Sequence, residues 1–164
     1  MALNEIVASQ AAPTEDTNKK IKMLLDYLAT CLNAKRRYTK SGMILHLDSD
    51  AAYIVAPKVR SRITGFFYCG DTYTKNSTPP TKINSPIHIE YKLLKHVVAS
   101  AVEAETAGLF HNCQTAVMIR NMLLALGHLQ PVTLAKTDNS TAAIFLNDTL
   151  KKKGAKHGML NTIG

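Results

Sequence analysis

Three carboxylates, Asp50, Glu105 and Asp138, have the residue type and the local sequence expected of ligands to a divalent cation. Asp50 lies in the stretch Met43–Tyr53, MILHLDSDAAY, in which a β-rich apolar run gives way to two aspartates. A carboxylate that ends a buried strand is costly unless something compensates its charge, and hard divalent cations bind carboxylate oxygens. The alternative is that the strand ends at Asp48 and that both aspartates are solvated turn residues.

Glu105 lies near the start of the clearest predicted helix. The segment Ser100-Ala101-Val102-Glu103 is a capping box, with Ser100 at the N-cap and Glu103 at the third helical position. The helix is predicted to run to about Leu126, with Gly127 as the residue that follows its C-cap. Glu103 therefore has a structural role that Glu105 lacks, although a glutamate on a helix surface is common in itself.

Asp138 directly follows the predicted strand Val132–Thr137 and precedes a predicted helix. An acid at the carboxyl end of a strand lies where α/β folds place their binding sites. The same position suits an ordinary helix N-cap, so Asp138 alone leaves both roles open.

The predicted element order, β-β-β-α-β-α, brings these acids together. Three strands joined by loops favour an antiparallel meander, and the fourth is expected to lie parallel to the first with the helix packed across them. Asp50, Glu105 and Asp138 would then meet at one edge of a mixed sheet in an α/β domain. Three carboxylates at close range repel one another, and two cations roughly 3.5–4 Å apart would remove the conflict and form the clamp used in phosphoryl displacement.

The charge balance indicates a polyanionic partner. The 164 residues carry 20 Lys and Arg against 12 Asp and Glu, a net charge of +8. No apolar run is long enough to span a bilayer and the N-terminus has no secretory pattern, so we expect an intracellular protein that binds nucleic acid rather than a membrane. The three cysteines and six histidines lack the spacing of a disulfide framework or a zinc site.

A basic segment follows the first strand. If it is extended, Lys58, Arg60 and Arg62 point to one face and Val59, Ser61 and Ile63 to the other, because strand side chains alternate. Three cations on one face beside an acidic site would suit phosphates on either side of a scissile bond. A solvated strand edge is the alternative.

Four motifs in this order, LDSDAAY at 47–53, PKVRSR at 57–62, EAE at 103–105 and TDNSTA at 137–142, resemble the ribonuclease H domain of copia-type LTR retrotransposon polyproteins. The resemblance covers about 43–156. It divides the chain into a helical leader at 1–40, similar to the end of a reverse transcriptase, a ribonuclease H-like domain at 41–156 and a divergent tail at 157–164.

The resemblance implies a ribonuclease H-like fold that hydrolyses the RNA strand of RNA–DNA hybrids with Mg²⁺ or Mn²⁺. Asp50, Glu105 and Asp138 would be the catalytic metal ligands, and Asn139 and Ser140 would join the basic segment in binding nucleic acid. The rest of the retrotransposon polyprotein is an expected partner.

The chain departs from the family pattern in two ways. It lacks the paired-aspartate motif of the polymerase, so it is not a complete reverse transcriptase. The fourth acid of the family is expected near Met159, where the sequence His157-Gly158-Met159-Leu160-Asn161 has no carboxylate. Two outcomes follow: an impaired nuclease whose second metal is poorly held, or a catalytically inactive nucleic-acid-binding fragment of a decayed retroelement.

Overall fold

The computed structural model describes residues 2–56, 59–72 and 84–142. The chain divides into two compact units, an N-terminal unit, Met1–Arg37, and a sheet unit, Tyr38–Gly164. The N-terminal unit holds helices α1 (Ala2–Ala8) and α2 (Glu15–Thr30). The described elements of the sheet unit are β1 (Ile44–Ala56), β2 (Arg60–Gly70), β3 (Pro86–Leu93), α3 (Ala101–Ala125) and β4 (Leu134–Thr137).

The N-terminal unit is helical, as its sequence predicts. Thr14 is the N-cap of α2: its hydroxyl accepts from the N–H of Thr17, whose own hydroxyl accepts from the N–H of Thr14. This reciprocal pair satisfies two of the N–H groups that a helix start leaves without partners. Lys20 lies 3.0 Å from Asp16 and 3.7 Å from Glu5, and so links α2 to α1.

The sheet unit is an α/β structure with a four-stranded mixed sheet in the order β3-β2-β1-β4. β1, β2 and β3 form an antiparallel meander, and β4 pairs parallel to β1. Both features confirm the topology predicted from the sequence. Of the predicted final helix the structure describes the start, residues 140–142; the rest of that helix and the tail at 157–164 lie outside the described residues.

α3 packs across one face of the sheet and closes the main core. Alternate apolar side chains of β1 and β2 point to this face and pack against apolar side chains of α3. The cluster consists of Leu45, Leu47, Phe67 and Cys69 from the strands and Leu109, Ala116 and Leu123 from the helix. Fully burying one large apolar side chain contributes about 1.5–3 kcal/mol, so this face anchors the helix firmly. The opposite sheet face, here called the far face, carries the even-numbered residues of β1 and β2.

The close approach of α3 to β2 depends on Gly65. A Cβ atom built on Gly65 would lie 2.5 Å from Oδ1 of Asn112, which is fully buried on α3. The amide nitrogen of Asn112 donates to the hydroxyl of Ser49 at 2.8 Å and to the carbonyl of Thr64 at 2.9 Å. A polar bridge therefore ties the helix to both central strands just below the acidic residues.

Both ends of α3 are capped as predicted. The hydroxyl of Ser100 accepts from the N–H of Glu103, and the Glu103 carboxylate accepts from the N–H of Ala99, one residue before the N-cap. At the other end Gly127 has a φ of +87°. The N–H of Gly127 and that of the next residue bond back to the last turn, which is the Schellman arrangement.

Two local predictions are wrong. β1 does not end at its aspartates but continues to Ala56, because β2 pairs with it past Asp50, which faces Thr64. Asp50 is exposed on the far face, so water bears its charge and the strand need not end there. Val59 has a φ of +56° and lies in the turn before β2, outside the alternation assigned to it.

Candidate metal centre

The acidic site forms where the parallel pairing of β1 and β4 ends. The last pair in the register is Ser49 with Thr137, and the next residue on each strand is an aspartate, Asp50 and Asp138. Because the two strands run in the same direction, both aspartates lie just past the same end of this pairing, although β1 itself continues to Ala56 beside β2. Both aspartates are exposed.

Glu105 reaches this edge from the second turn of α3. Its Oε1 accepts from the N–H of Ala51 at 3.1 Å, and its Oε2 accepts from the hydroxyl of Thr137 at 3.3 Å. Ala51 lies just past the last β1–β4 pair, so the glutamate serves an N–H that β4 does not reach. Glu105 is only 5% exposed, and its carboxylate is held between the two strands.

The three carboxylates converge as the element order predicts. One oxygen each from Asp50, Glu105 and Asp138 lies within 4.8 Å of the others. Mg²⁺ binds oxygen at about 2.0–2.1 Å and Ca²⁺ at about 2.3–2.6 Å, so oxygens on opposite sides of one ion are about 4.0–5.2 Å apart, depending on the ion. The spacing therefore fits a shared cation, and this acidic group could hold a metal ion.

The electrostatics of Glu105 agree with such a role. Burial raises the pKa of this carboxyl above its usual range, and the charges of Asp138 and Asp50 raise the pKa further. The hydrogen bonds from Ala51 and Thr137 oppose that shift, because they favour the charged form. Without a cation the site thus carries a repulsion that a bound divalent ion would relieve.

The N-cap role that was open for Asp138 belongs to Asn139. Oδ1 of Asn139 accepts from the N–H of Ala142 at 3.0 Å, which caps the helical segment that begins at Ser140. The N–H of Asn139 donates to the hydroxyl of Thr137 at 3.3 Å. The cap thus turns the chain so that Asp138 joins the acidic site.

Three more residues complete the site: Thr137 and Lys136, which the sequence reasoning missed, and Asp48, which it placed beside Asp50 without a fixed role. Thr137 links Glu105 to the turn that carries Asp138. The sequence pattern that could have identified it is a hydroxyl residue at the last position of a strand, directly before an acid. Asp48 and Lys136 face each other in the β1–β4 register and line the same pocket as Asp50. Within the described residues, Oδ1 of Asp48 has no hydrogen-bond partner.

The basic segment is described from residue 59 onward. In β2, Ser61 and Ile63 are buried while Arg60 and Arg62 are half-buried on the far face, which confirms the predicted alternation for these four residues. Lys58 lies outside the described residues. Ser140 is exposed at the start of the helical segment.

Fold and site together define an α/β domain with a candidate metal centre of three carboxylates. A scan against protein-family models finds no match, and a search of curated proteins finds no match. Over residues 2–56, 59–72 and 84–142, none of the helices has the length and apolar character needed to cross a membrane.

Proposed function

We propose that the sheet unit is a ribonuclease H-like domain that hydrolyses the RNA strand of RNA–DNA hybrids with Mg²⁺ or Mn²⁺. The observation that carries this proposal is the convergence of Asp50, Glu105 and Asp138 within 4.8 Å from three different elements. The mixed sheet, with a parallel β1–β4 pair and α3 packed across it, supports the same assignment.

The three carboxylates would hold the cations. Bound there, two divalent ions would activate a water and stabilise the leaving oxygen of an in-line displacement. The protein supplies the orientation: the N–H of Ala51 and the hydroxyl of Thr137 hold the Glu105 carboxylate before any substrate arrives. Preorganised ligands of this kind lose little entropy when the ion and the substrate bind.

The charge distribution supports a nucleic-acid substrate. Arg60 and Arg62 lie on the far face, which is also the face of Asp50, and the whole chain carries a net charge of +8. Arginines at this position would contact phosphates beside the scissile bond. Recognition would follow the A-like shape and the 2′-hydroxyls of the hybrid rather than its sequence, as is usual for RNA helices.

The N-terminal unit fits the same proposal as a remnant of a reverse transcriptase. Its two helices precede the sheet unit, and we infer that the chain derives from a retrotransposon polyprotein whose remaining parts are its partners. An intracellular location, cytoplasmic or nuclear, follows from the proposed substrate.

A second candidate function is hybrid binding without cleavage. The sequence has no Asp or Glu after Asp148, so no fourth carboxylate is available from the tail. Without that ligand the site would bind a second cation more weakly, and Mg²⁺ would be affected most because it demands near-ideal octahedral geometry. In this second candidate function the chain keeps the fold and the far face with Arg60 and Arg62, and it loses only the ability to cleave RNA.

A hybrid-cleavage assay separates the two. A labelled RNA–DNA hybrid is incubated with the chain and Mg²⁺ or Mn²⁺, next to Asp50→Asn, Asp138→Asn and a control, Asp26→Asn, on α2 outside the sheet unit. The nuclease proposal expects cleavage that both site variants abolish and the control retains. Hybrid binding without cleavage under either metal establishes the binding candidate instead, and cleavage that survives Asp50→Asn overturns the site assignment.

A further inference from the structure

Arg62 and Tyr91 form a cation–π pair on the far face. The guanidinium carbon of Arg62 lies 5.4 Å from the centroid of the Tyr91 ring, and Nη1 of Arg62 donates to the Tyr91 hydroxyl at 3.4 Å. A guanidinium over an aromatic ring within about 6 Å of its centroid is attracted by the ring quadrupole, and the hydrogen bond to the hydroxyl further restricts its position. Arginine has five N–H donors in a rigid fork, so an arginine held in this way keeps donors for a second acceptor.

The strand register places this pair beside the metal centre. Asp50 pairs with Thr64, Thr64 pairs with Tyr91, and Arg62 pairs with Ala52, two residues along β1 from Asp50. All these residues share the far face, because direct partners in antiparallel strands point the same way. With strands about 4.8 Å apart and a rise of about 3.4 Å per residue, the Cα atoms of Arg62 and Asp50 are about 8 Å apart.

We propose that Arg62, positioned by Tyr91, binds a phosphate of the cleaved strand one or two nucleotides from the scissile phosphate. The inference rests on the proposed function, since the acidic site is taken to hold the scissile phosphate. A strand of B-DNA carries one phosphate per ~3.4 Å of helix rise, so a Cα separation of about 8 Å spans roughly two such steps, and the reach of the arginine side chain allows contact with the first or second phosphate beside the scissile one.

Two other cations near the sheet, Lys92 and Arg120, have structural partners instead. Lys92 forms an ion pair with the buried Glu90, which lies on the α3 side of the sheet. Arg120 donates to the backbone carbonyls of Gln130 and Pro131 and so secures the connection before β4. Arg62 is half-buried, and its partner is an aromatic ring that orients it without neutralising its charge.

The test removes charges from the substrate one phosphate at a time. The labelled strand of the hybrid is 2′-O-methylated except for a short ribonucleotide window that fixes the cleavage site. Single methylphosphonates then replace phosphates on either side of the window, each with a matched phosphodiester control. Affinity is measured by fluorescence anisotropy with Mg²⁺ in an Asp50→Asn background, which blocks hydrolysis, and cleavage of the unsubstituted hybrid is measured in the unmodified chain.

With Arg62 present, neutralising one position next to the window is expected to weaken binding about tenfold, the size of one hydrogen-bonded charge contact. In the Arg62→Ala variant the same methylphosphonate is expected to cause no further loss of affinity. The slope of log K against log salt concentration is expected to fall by about 0.9 in magnitude. Tyr91→Leu is expected to remove much of the sensitivity to the methylphosphonate, as Arg62→Ala does. Tyr91→Phe, which keeps the ring, is expected to retain that sensitivity. Arg60→Ala, on the same strand face without the Tyr91 contact, keeps the sensitivity at that position.

Each remaining outcome has a definite meaning. A methylphosphonate effect of the same size with and without Arg62 overturns the proposed contact between Arg62 and the phosphate, while cleavage by the unmodified chain leaves the proposed function standing. If the unmodified chain neither binds nor cleaves hybrids, the proposed function fails, and the proposed contact between Arg62 and the phosphate fails with it. Should Arg62→Ala not fold, as judged by circular dichroism, Arg62→Lys takes its place, and a single amine without the fork is expected to lose most of the positional sensitivity.

Discussion

Replacing Glu105 with Gln should make the metal-free protein more stable at neutral pH. Glutamine keeps both hydrogen bonds of the native side chain, because its oxygen accepts from the N–H of Ala51 and its amide donates to the Thr137 hydroxyl. The change removes the charge that burial disfavours and that Asp50 and Asp138 repel. It therefore isolates the electrostatic cost of assembling the site.

The size of the gain follows from the separation of the charges. At 4.8 Å, two unit charges repel by about 0.9 kcal/mol in water and about 3.5 kcal/mol at an effective dielectric constant of about 20. Asp50 and Asp138 are exposed, so screening brings each pair close to the lower value. We expect the free energy of unfolding to rise by about 1–2 kcal/mol, or Tm by about 3–6 °C.

The dependence on pH supplies the check. A carboxyl whose pKa is raised in the folded state binds its proton more tightly there, so the native protein loses stability as pH rises above the ordinary glutamate range. Thermal melts in EDTA should therefore show Glu105→Gln above the unmodified chain at pH 7 and level with it near pH 4. Adding Mg²⁺ should stabilise the unmodified chain more than the variant. A variant that is less stable at pH 7, or a gain that persists at pH 4, would refute the reasoning.

Three further predictions concern the surroundings of the site. Thr137→Val removes the hydroxyl that holds Glu105 and should weaken Mn²⁺ binding, measured by electron paramagnetic resonance, about tenfold, with Thr137→Ser restoring it. Gly65→Ala should cost about 1–3 kcal/mol in a urea titration, because its Cβ would lie 2.5 Å from Asn112 Oδ1; Gly42→Ala, with its nearest contact at 3.4 Å, is the control. Cleavage should be weak with Mg²⁺ and partly rescued by Mn²⁺, and Met159→Asp should raise the Mg²⁺ rate if the tail reaches the site; full Mg²⁺ activity in the unmodified chain contradicts this.

The features that the sequence predicts well are those with local signals. Short-range patterns predict both ends of α3, through Ser100 with Glu103 and through Gly127, and the helix forms between these ends. A short-range pattern also predicts the alternation of Arg60 and Arg62 with buried neighbours in β2. The convergence of the three acids was predicted from the element order. A fourth strand parallel to the first brings Asp50 and Asp138 to the same end of the strand pair, where Glu105 reaches them from α3.

The features that sequence reasoning missed depend on contacts between distant segments. β1 continues past Asp50 because β2 pairs with it there, and the local sequence of β1 does not indicate this pairing. The N-cap at Asn139 and the contact between Thr137 and Glu105 depend on how the turn after β4 meets α3. The Arg62–Tyr91 pair joins two strands whose register the intervening loop does not specify.

The shortness of β4 has a consequence for dynamics. Its four residues, Leu134–Thr137, lie at one end of the described strand order and pair only with β1 there. Short terminal strands open locally at a low free-energy cost, so we expect β4, which directly precedes Asp138, to exchange its amide hydrogens sooner than β1 or β2. An ion that joins Asp138 to Asp50 and Glu105 binds only the closed form and shifts that opening by mass action. Occupancy of the site would then be visible as slower amide exchange along β4, while the exchange of the central strands stays almost unchanged.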